Sequence, residues 1–524
     1  MSSAPSSGPA PRRTFAIISH PDAGKTTLTE KFLLYAGAIE TAGAVRARGG
    51  RQREVTSDWM DLERTRGISI TSTAVQFEHD GVVLNLLDTP GHRDFSEDTY
   101  RVLSAVDSVV IVLDAARGIQ SQTRKLFEVA RDRRLPLLTF VNKCDRPSLP
   151  PLALLDDIEA TLGLDATPIT WPVGSGPTFE GVVDRRSGHL WEFERTPHGG
   201  SIGDELSTPI RRRGDDQEHR STAWDELDLL SAVEADHALD GFLAGTATPV
   251  FFGSALWNFG VRLLLDAVVD LAPAPSAWQS VGGGEVRLGG QVTGQVFKVQ
   301  ANLDPRHRDR VAFVRIASGV FRRGMSLVNR RTGRTLTTRF AHSVFGRDRE
   351  TVDEAVPGDV VALVNATDLL IGDTLSEDGG VEFPGLPAFA PELFATARAA
   401  ETSRSKQFRR GIEQLDEEGV VQVLRTADAG DREPILAAVG RMQFEVAAHR
   451  MAGEFGAEIV LEPLSFTVAR RTDRDGAERL ANRTGVLVAG RRDGSQVALF
   501  ATEHRLAAAR RDHPDLVLER IGSS

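Results

Sequence analysis

Cysteine and lysine are scarce in this chain of 524 residues, and long apolar runs are missing. The one cysteine, Cys144, excludes an internal disulfide framework and is typical of a reducing compartment. Six of the 62 basic residues are lysine, which indicates a codon preference for arginine, so a retained lysine can mark a site that needs a compact point charge. Without an apolar run of about 18 residues, we expect no membrane-spanning helix and no membrane partner.

The charge balance and the first residues narrow the class of protein further. A net charge of −11 argues against diffuse binding to nucleic acid, so we expect no DNA partner, although a local basic contact with a large RNA-containing partner stays compatible. Residues 1–13 are rich in Ser and Pro and have no apolar core, which predicts a flexible tail rather than a secretory signal. We therefore expect a cytoplasmic protein.

The first half of the chain alternates buried strands with amphipathic helices, a pattern typical of a doubly wound, mostly parallel sheet. Predicted strands are residues 14–19, 82–87, 109–113, 137–141 and 249–253, and predicted helices are residues 25–36, 95–105, 122–134 and 261–271. We assign residues 14–275 to this α/β domain, with an inserted, partly acidic subdomain at about 172–245, and residues 276–290 to a linker.

The rest of the chain has a different pattern of predicted helices and strands. Short β-type segments separated by Gly turns predict a β-barrel over residues 291–388. Helices and strands mix again over residues 389–524, which predicts an α+β domain; Phe408, Ile412 and Leu415 share one face of a helix there. Two more helices are predicted around residues 442–449 and 506–511.

A phosphate-binding motif lies between the first strand and the first helix. Residues 19–26 read Ser-His-Pro-Asp-Ala-Gly-Lys-Thr, which matches G-x-x-x-x-G-K-[ST] except that Ser19 takes the first Gly position. A loop that enters a helix here aims backbone N–H groups at phosphate oxygens, and Gly24 allows close approach. Lys25 then reaches the terminal phosphates and Thr26 offers a hydroxyl to Mg²⁺.

A second motif, Asp-Thr-Pro-Gly-His at residues 88–92, follows the strand at 82–87. A carboxylate at this strand end suits a Mg²⁺-linked water, and Gly91 can turn its peptide toward a γ-phosphate. Such an element is ordered by a γ-phosphate and released by hydrolysis.

The third and fourth motifs concern the base. Asp145, in Asn-Lys-Cys-Asp at residues 142–145, can accept two hydrogen bonds from guanine that adenine cannot donate, and the stem of Lys143 can lie along the base. Residues 254–256, Ser-Ala-Leu, would complete the pocket through backbone contacts. Four motifs in order at the carboxyl ends of strands predict a guanine-nucleotide hydrolase. Asp145 argues against an ATPase, and a non-hydrolysing binding module stays open only if His92 is idle.

Further segments carry a resemblance to a known family. The gap of 109 positions between Asp145 and Ser254, the segments at residues 66–70 and 114–123, and His92 look like the translational GTPases. Within that group the chain resembles the bacterial peptide chain release factor 3 family over nearly its whole length, through residues 19–25, 57–60, 94–100, 169–172, 296–302, 307–313 and 389–394. Elongation factor G would need two further C-terminal domains.

The resemblance implies an α/β P-loop GTPase domain, a translation-factor β-barrel and an α+β domain. It implies a ribosome-stimulated GTP hydrolase of translation termination that promotes dissociation of class I release factors after peptide release. The implied ligands are GTP or GDP and Mg²⁺. The implied partners are the ribosome, through its RNA and proteins, and class I release factors, and we expect a monomer.

The same resemblance implies the site residues. The phosphates would be bound by Ser19, His20, Asp22, Ala23, Gly24, Lys25, Thr26, Thr27, Asp88 and Gly91. Guanine would be bound by Asn142, Lys143, Asp145, Ser254, Ala255 and Leu256, and Mg²⁺ by Thr26, Ser69 and, through water, Asp88. Arg66, Gly67 and Ile68 would belong to the first switch, where Ile68 helps to gate the catalytic His92, which orients the attacking water.

Departures and alternatives remain. Arg93 stands where the family usually has Glu, and Cys144 where Leu is commoner; we interpret Cys144 as a small buried side chain.

Two alternative functions stay open: another ribosome-bound translational GTPase, or a ribosome-associated scaffold that uses GTP as a structural ligand. The triplet Gly289-Gly290-Gln291 spells the tripeptide of class I release factors, so a peptidyl-tRNA hydrolase is an alternative, which the adjoining Gly-rich linker and strand disfavour.

Overall fold

The computed structural model describes residues 9–39, 74–90, 96–196, 200–210, 218–230, 238–301, 310–345, 348–386, 390–428 and 430–521. Within these residues, no helix is both long enough and apolar enough to cross a membrane.

The first domain is built on a seven-stranded sheet in the order β2-β3-β1-β4-β5-β11-β6. Its strands are β1 (Arg12–Ser19), β2 (Ala74–His79), β3 (Val82–Asp88), β4 (Ser108–Asp114), β5 (Leu137–Asn142), β6 (Asp165–Pro168) and, after an insertion, β11 (Ala247–Phe252). Only β2 runs antiparallel, joined to β3 through a tight Asp80-Gly81 turn in which both residues have positive φ. The predicted mostly parallel sheet is confirmed, but the strands β2 and β6 were not predicted.

Helices cover both faces of this sheet, as expected for a doubly wound domain. They are α1 (Lys25–Tyr35), α2 (Ser96–Leu103), α3 (Ser121–Asp132), α4 (Pro151–Leu162), α5 (Glu218–Leu230) and α6 (Ala238–Ala244) in the insertion, and α7 (Val261–Leu271). Apolar residues of α1 and α7 share one hydrophobic cluster, and those of α2, α3 and α4 share the other. The helix α4 was also not predicted. Pro151 at its start and Gly163 at its end, with φ of 66°, are residue types that commonly mark the two ends of a helix.

The insertion forms a four-stranded antiparallel sheet in the order β10-β9-β8-β7. Its strands are β7 (Thr170–Val173), β8 (Gly181–Asp184), β9 (His189–Phe193) and β10 (Glu205–Pro209). The buried Trp171 donates its indole N–H to Glu226 of α5 at 3.0 Å, which fastens the helix to this sheet. On the other side, Arg262 of α7 lies 4.5 Å from the ring of Trp191 and pairs with Glu205 at 2.5 Å. The insertion is therefore held against the main domain.

The segment predicted as a linker carries a short hairpin, β12 (Trp278–Gln279) with β13 (Glu285–Val286). After it come ten strands: β14 (Thr293–Ala301), β15 (Arg310–Ser318), β16 (Phe321–Arg322), β17 (Ser326–Asn329), β18 (Thr335–Thr337), β19 (Ala341–Phe345), β20 (Asp348–Thr351), β21 (Glu354–Ala355), β22 (Val360–Val364) and β23 (Thr374–Ser376). Eight of them form one antiparallel sheet around a core that includes Val296, Val314 and Leu375. This agrees with the predicted all-β domain without a long helix.

The C-terminal part combines two four-stranded antiparallel sheets with four helices. Its strands are β24 (Leu393–Ala399), β25 (Gln422–Leu424), β26 (Ile435–Ala438), β27 (Ile459–Leu464), β28 (Val468–Thr472), β29 (Val486–Gly490), β30 (Gln496–Phe500) and β31 (Glu519–Arg520). Its helices are α8 (Ser405–Glu417), α9 (Arg441–Phe455), α10 (Arg474–Leu480) and α11 (Glu503–Asp512). The predicted helical face of Phe408, Ile412 and Leu415 is buried on α8, as expected.

A polar seam joins the sheet domain to the barrel. The buried Arg315 of β15 donates to Asp107 at 2.6 Å and to the hydroxyl of Thr14. The carbonyl of Gly358 accepts from Thr14 at 2.7 Å and from Asn85 at 3.1 Å. Gly358 has φ of 105°, and a Cβ there would come 2.6 Å from Pro275, so the turn needs glycine.

Replacing Arg315 with methionine should lower the free energy of unfolding by about 3–5 kcal/mol, because it leaves the carboxyl of Asp107 buried without its cation. Burial raises the pKa of Asp107, and the Arg315 guanidinium opposes that rise. Urea unfolding followed by tryptophan fluorescence measures the change. Arg323→Met is the matched control, because Arg323 and Asp353 pair on the exposed surface of the same domain and should contribute about 1 kcal/mol or less. Equal losses in the two variants would contradict this reading.

Candidate functional site

A pocket of about 350 Å³ opens beside the loop that joins β1 to α1 and the loop that follows β5. Eleven of the residues predicted for nucleotide binding line it: Ser19, His20, Asp22, Gly24, Lys25, Thr26, Thr27, Asn142, Lys143, Asp145 and Leu256. Both loops leave the sheet at the carboxyl ends of parallel strands, which is where open α/β sheets bind ligands. The structure therefore brings the first, third and fourth motifs together, although they are far apart in sequence.

Gly24 forms the entry to α1 in a conformation that other residues rarely adopt. Its φ is 102°, and a Cβ at this position would come 2.2 Å from the amide nitrogen of Asn142. Glycine therefore lets the phosphate loop pass against the base motif. The first residues of α1 line the pocket, and the N-terminus of a helix favours anions.

Lys25, which lines the pocket, forms a buried ion pair with Asp88. The ammonium of Lys25 lies 2.6 Å from Oδ1 of Asp88, and both side chains are about nine-tenths buried or more. Asp88 is the last residue of β3, so the second predicted motif reaches the phosphate loop at this point. The pair holds the lysine at the site where the sequence predicts terminal phosphates.

Asn142 connects three loops through its side-chain amide. Its Nδ2 donates to the carbonyl of Ala23 at 2.7 Å. Its Oδ1 accepts from the backbone N–H of Lys143 at 2.8 Å and from that of Ala255 at 2.8 Å. Asn142 and Ala23 are thus structural partners. The fully buried Ser254 precedes Ala255 in the loop after β11, which Asn142 also contacts.

Lys143 extends along the pocket wall toward the phosphate loop. Its ammonium donates to the carbonyl of Asp22 and lies 2.9 Å from Oδ2 of Asp114. Burial of Asp114 opposes its ionisation, but the hydrogen bonds from Lys143 and the N–H of Ala116 outweigh this and lower its pKa. Asp114 therefore stays ionised and keeps the lysine stem stretched across the pocket, as expected for a side chain that covers one face of a base.

His20 lies in the phosphate loop with both ring nitrogens buried and without a hydrogen-bond partner among the described residues. Burial is the main cause of a lowered pKa, partly opposed by Asp114. The ring is therefore neutral at physiological pH. It therefore adds no positive charge to the pocket.

Asp145 and Leu256, which follows β11, line the side of the pocket where the sequence predicts the base. Leu256 is 41% exposed at the pocket rim, an apolar surface suited to contact with a flat ring. Oδ2 of Asp145 accepts a hydrogen bond from the indole of Trp257 at 3.2 Å. Cys144 is buried, and its N–H donates to the carbonyl of Gly253 at 3.1 Å, which agrees with a packing role.

Some of the predicted site residues lie outside the described residues. They are Arg66, Gly67, Ile68 and Ser69 of the first switch, and Gly91 and His92 of the second, together with the neighbouring Arg93. Their roles stay predictions.

The sequence did not identify four contributors to the pocket. Pro21 and Arg146 line it, Asp114 anchors Lys143, and Trp257 contacts Asp145. Asp114 ends strand β4 at the ligand-binding edge of the sheet, so its position was a usable signal. Trp257 follows the base loop directly, but its contact with Asp145 depends on the closure of that loop and on the nearby Arg195 of the insertion.

The triplet that suggested a peptidyl-tRNA hydrolase lies at the entrance to the barrel. The carbonyl of Gln291 accepts a hydrogen bond from the hydroxyl of Ser318 at 2.8 Å. A Cβ on Gly319 would come within 2.7 Å of the backbone of Gln291, so the two segments are tightly packed. Gln291 is thus held against the barrel by its backbone, which further disfavours a protruding catalytic loop.

Comparisons with known proteins match each of the three parts of the chain. Residues 10–274 match the elongation factor Tu GTP binding domain, residues 291–378 match elongation factor G domain 2, and residues 383–510 match the class II release factor RF3 C-terminal domain. A peptide chain release factor 3 of Synechococcus elongatus is 48% identical over 97% of this chain and 93% of its own length. The chain belongs to the peptide chain release factor 3 family.

Another relative in that family, from Gloeothece citriformis, is 48% identical over 97% of this chain and 95% of its own length. A crystal structure of a protein from Thermus thermophilus covers 94% of this chain and 73% of that chain, with a TM-score of 0.67 and 22% identity, and shows the same fold. The predicted P-loop GTPase domain and β-barrel are confirmed. The protein is a GTP hydrolase of translation termination that depends on the ribosome.

Proposed function

We propose that the protein uses GTP to promote dissociation of class I release factors from the ribosome after peptide release. The observation that carries this proposal is the C-terminal match to the release factor family, joined in one chain to a GTP binding domain match. Cytoplasmic location and a monomeric state belong to the same proposal. A ribosome-dependent GTPase assay, combined with measured dissociation of a labelled class I release factor, tests it.

Different residues of the pocket would bind the phosphates and the base. The N–H groups at the start of α1 and the ammonium of Lys25 would bind the phosphates. Asp145 would accept the ring N–H and the exocyclic amine of guanine, while Lys143 and Leu256 contact its faces. Little covalent chemistry is then left for the protein, and catalysis is positioning plus charge stabilisation.

We propose a Mg²⁺ ion held by the hydroxyls of Thr26 and Ser69 and, through water, by Asp88. The donor set fits this ion, because Mg²⁺ prefers oxygen ligands and the Asp88 carboxylate pairs with Lys25, which lines the pocket beside Thr26. When bound, the ion would neutralise charge on the phosphates. We keep Arg66, Gly67 and Ile68 as the proposed first switch.

The predicted domain limits also stay a proposal. We place the GTPase domain at 14–275 with its inserted subdomain at about 172–245, and the linker at 276–290. The barrel follows at 291–388 and the C-terminal domain at 389–524. The separate sheets of the three parts and the limits of the three family matches support this division.

His92 is the proposed catalytic residue. His92→Ala should retain GDP and GTP affinity within about twofold and lower the ribosome-stimulated turnover about a hundredfold or more, the loss typical of removing a group that orients or activates a nucleophile. Steady-state phosphate release with and without ribosomes measures it. His504→Ala, at an exposed position of the C-terminal part, is the control. Undiminished turnover in His92→Ala would show that another group orients the attacking water.

The alternatives give different results in the same assays. A scaffold that uses GTP as a structural ligand would show no turnover with ribosomes. A peptidyl-tRNA hydrolase would release peptide from stop-codon complexes by itself, and Gln291→Ala would abolish that release. Either result would contradict the proposal.

A further inference from the structure

Trp257 stands at the boundary between the base pocket and the insertion. It follows Leu256, the last residue of the predicted base loop, and its side chain is half-buried. The indole Nε1–H points at Asp145 and lies 3.2 Å from Oδ2. The residue on which guanine selection would rest therefore already has one hydrogen bond from a neighbouring side chain.

The position of the Trp257 ring is set by the insertion. The guanidinium of Arg195, which follows β9, lies 5.6 Å from the ring centroid of Trp257 and 5.9 Å from that of Phe259. Phe193 stacks on Phe259 at 4.9 Å with an interplanar angle of 22°. Arg195 and the aromatic stack thus hold the loop against the insertion.

This loop is also closed on itself. The backbone N–H of Ser254 donates to the carbonyl of Phe259 at 2.9 Å, and the N–H of Phe259 donates back at 3.0 Å. Trp257 lies between these two paired residues. The direction of its indole N–H is therefore fixed by backbone pairing on one side and by ring stacking on the other.

A carboxylate needs a fixed rotation to bind guanine with both oxygens. The terminal torsion of aspartate is broad, so an unrestrained side chain samples orientations in which one oxygen faces away from the base. A carboxylate offers about four acceptor sites on its two oxygens. One donor on Oδ2 can therefore fix the rotation and still leave a site on each oxygen for the ring N–H and the exocyclic amine.

We propose that Trp257 is a specificity-determining positioning residue, whose indole N–H sets the rotation of Asp145 so that both oxygens face the donors of guanine. The inference rests on the proposed base pocket. It assigns to the insertion a role in base selection, because Arg195 and the Phe193–Phe259 stack determine where the indole points.

Inosine diphosphate separates orientation from simple packing. It keeps the ring N–H of GDP but lacks the exocyclic amine, so it needs one oxygen of Asp145 instead of two. A freely rotating carboxylate can still satisfy one donor. Trp257→Phe should therefore weaken GDP binding about threefold to tenfold, which corresponds to the loss of one hydrogen bond. The affinity for inosine diphosphate should change less than about twofold.

Competition of each unlabelled nucleotide against fluorescent GDP measures the two affinities in the full-length protein. Trp191→Phe is the matched control, because the indole N–H of Trp191 is buried with no hydrogen-bond partner among the described residues and its ring meets Arg262 instead. The GDP to inosine diphosphate affinity ratio should fall in Trp257→Phe and stay unchanged in Trp191→Phe. Thermal unfolding shows that each variant is folded.

Two outcomes would overturn the inference. An equal loss of affinity for both nucleotides would make Trp257 a packing residue, and unchanged affinities for both would leave its hydrogen bond without a role. Asp145→Asn is measured in parallel to keep the two ideas separate. An unaltered base preference in Asp145→Asn would refute the base pocket itself, whereas an altered preference there with an unchanged ratio in Trp257→Phe would refute only the role of the tryptophan.

Discussion

Asp145→Asn should convert a guanine site into one that prefers xanthine, with GDP affinity falling on the order of a hundredfold to a thousandfold. The amide replaces one acceptor oxygen with an NH₂ donor, which then opposes the exocyclic amine of guanine. Xanthine carries a carbonyl at that position and accepts from the new donor. Competition of GDP and xanthosine diphosphate against fluorescent GDP or its xanthine analogue measures the exchange.

Asp156→Asn is the control for the change of charge. Asp156 is exposed on α4 and belongs to the same domain, so its variant should retain the preference for guanine. An Asp145→Asn protein that still selected guanine would refute the assignment of the base side of the pocket. The GTPase assignment itself would still rest on the family match of residues 10–274 and on the relatives.

Lys25→Met should weaken GTP binding about a hundredfold or more and abolish measurable turnover with ribosomes. The variant removes the charge expected at the terminal phosphates and leaves Asp88 buried beside an apolar chain, because their ion pair spans 2.6 Å. Equilibrium binding of a non-hydrolysable GTP analogue measures the first effect and phosphate release the second.

Lys25→Arg tests why lysine is retained here in an arginine-rich chain. The ammonium is a compact point charge, whereas a guanidinium is a planar fork that needs more room. Lys25 is 5% exposed, so there is little space beside Gly24, and we expect arginine to restore little activity. Lys125→Met, at an exposed position on α3, controls for loss of a lysine. Near-normal turnover in Lys25→Arg would show that charge alone is sufficient.

The parts of the fold that could be predicted are those with a strong local pattern. The helix α7 has the predicted bounds, because Val261 and Leu271 mark the ends of a clear amphipathic repeat. The strand β6 has only four residues and ends in a proline, so its short pattern is no different from a loop. Its place beside β11 depends on parallel pairing with a strand about 80 positions later, which no local pattern encodes.

The same limit applies to the site. The four motifs were predictable because each follows a buried strand, and parallel strands bring their carboxyl ends to one edge. The ion pair between Lys143 and Asp114 joins two such strand ends, so it could have been predicted in the same way. The contact between Trp257 and Asp145 was not, because it depends on how the insertion packs against the loop after β11.

Burial of Cys144 has a practical consequence for measuring motion in this protein. Burial raises the pKa of this thiol to about 12, and the reactive species toward maleimide dyes is the thiolate. The native cysteine would therefore stay unlabelled at neutral pH. Pairs of cysteines introduced on the exposed faces of two domains would carry donor and acceptor dyes without any replacement of native residues, and energy transfer between them would report how far the domains separate as GTP becomes GDP.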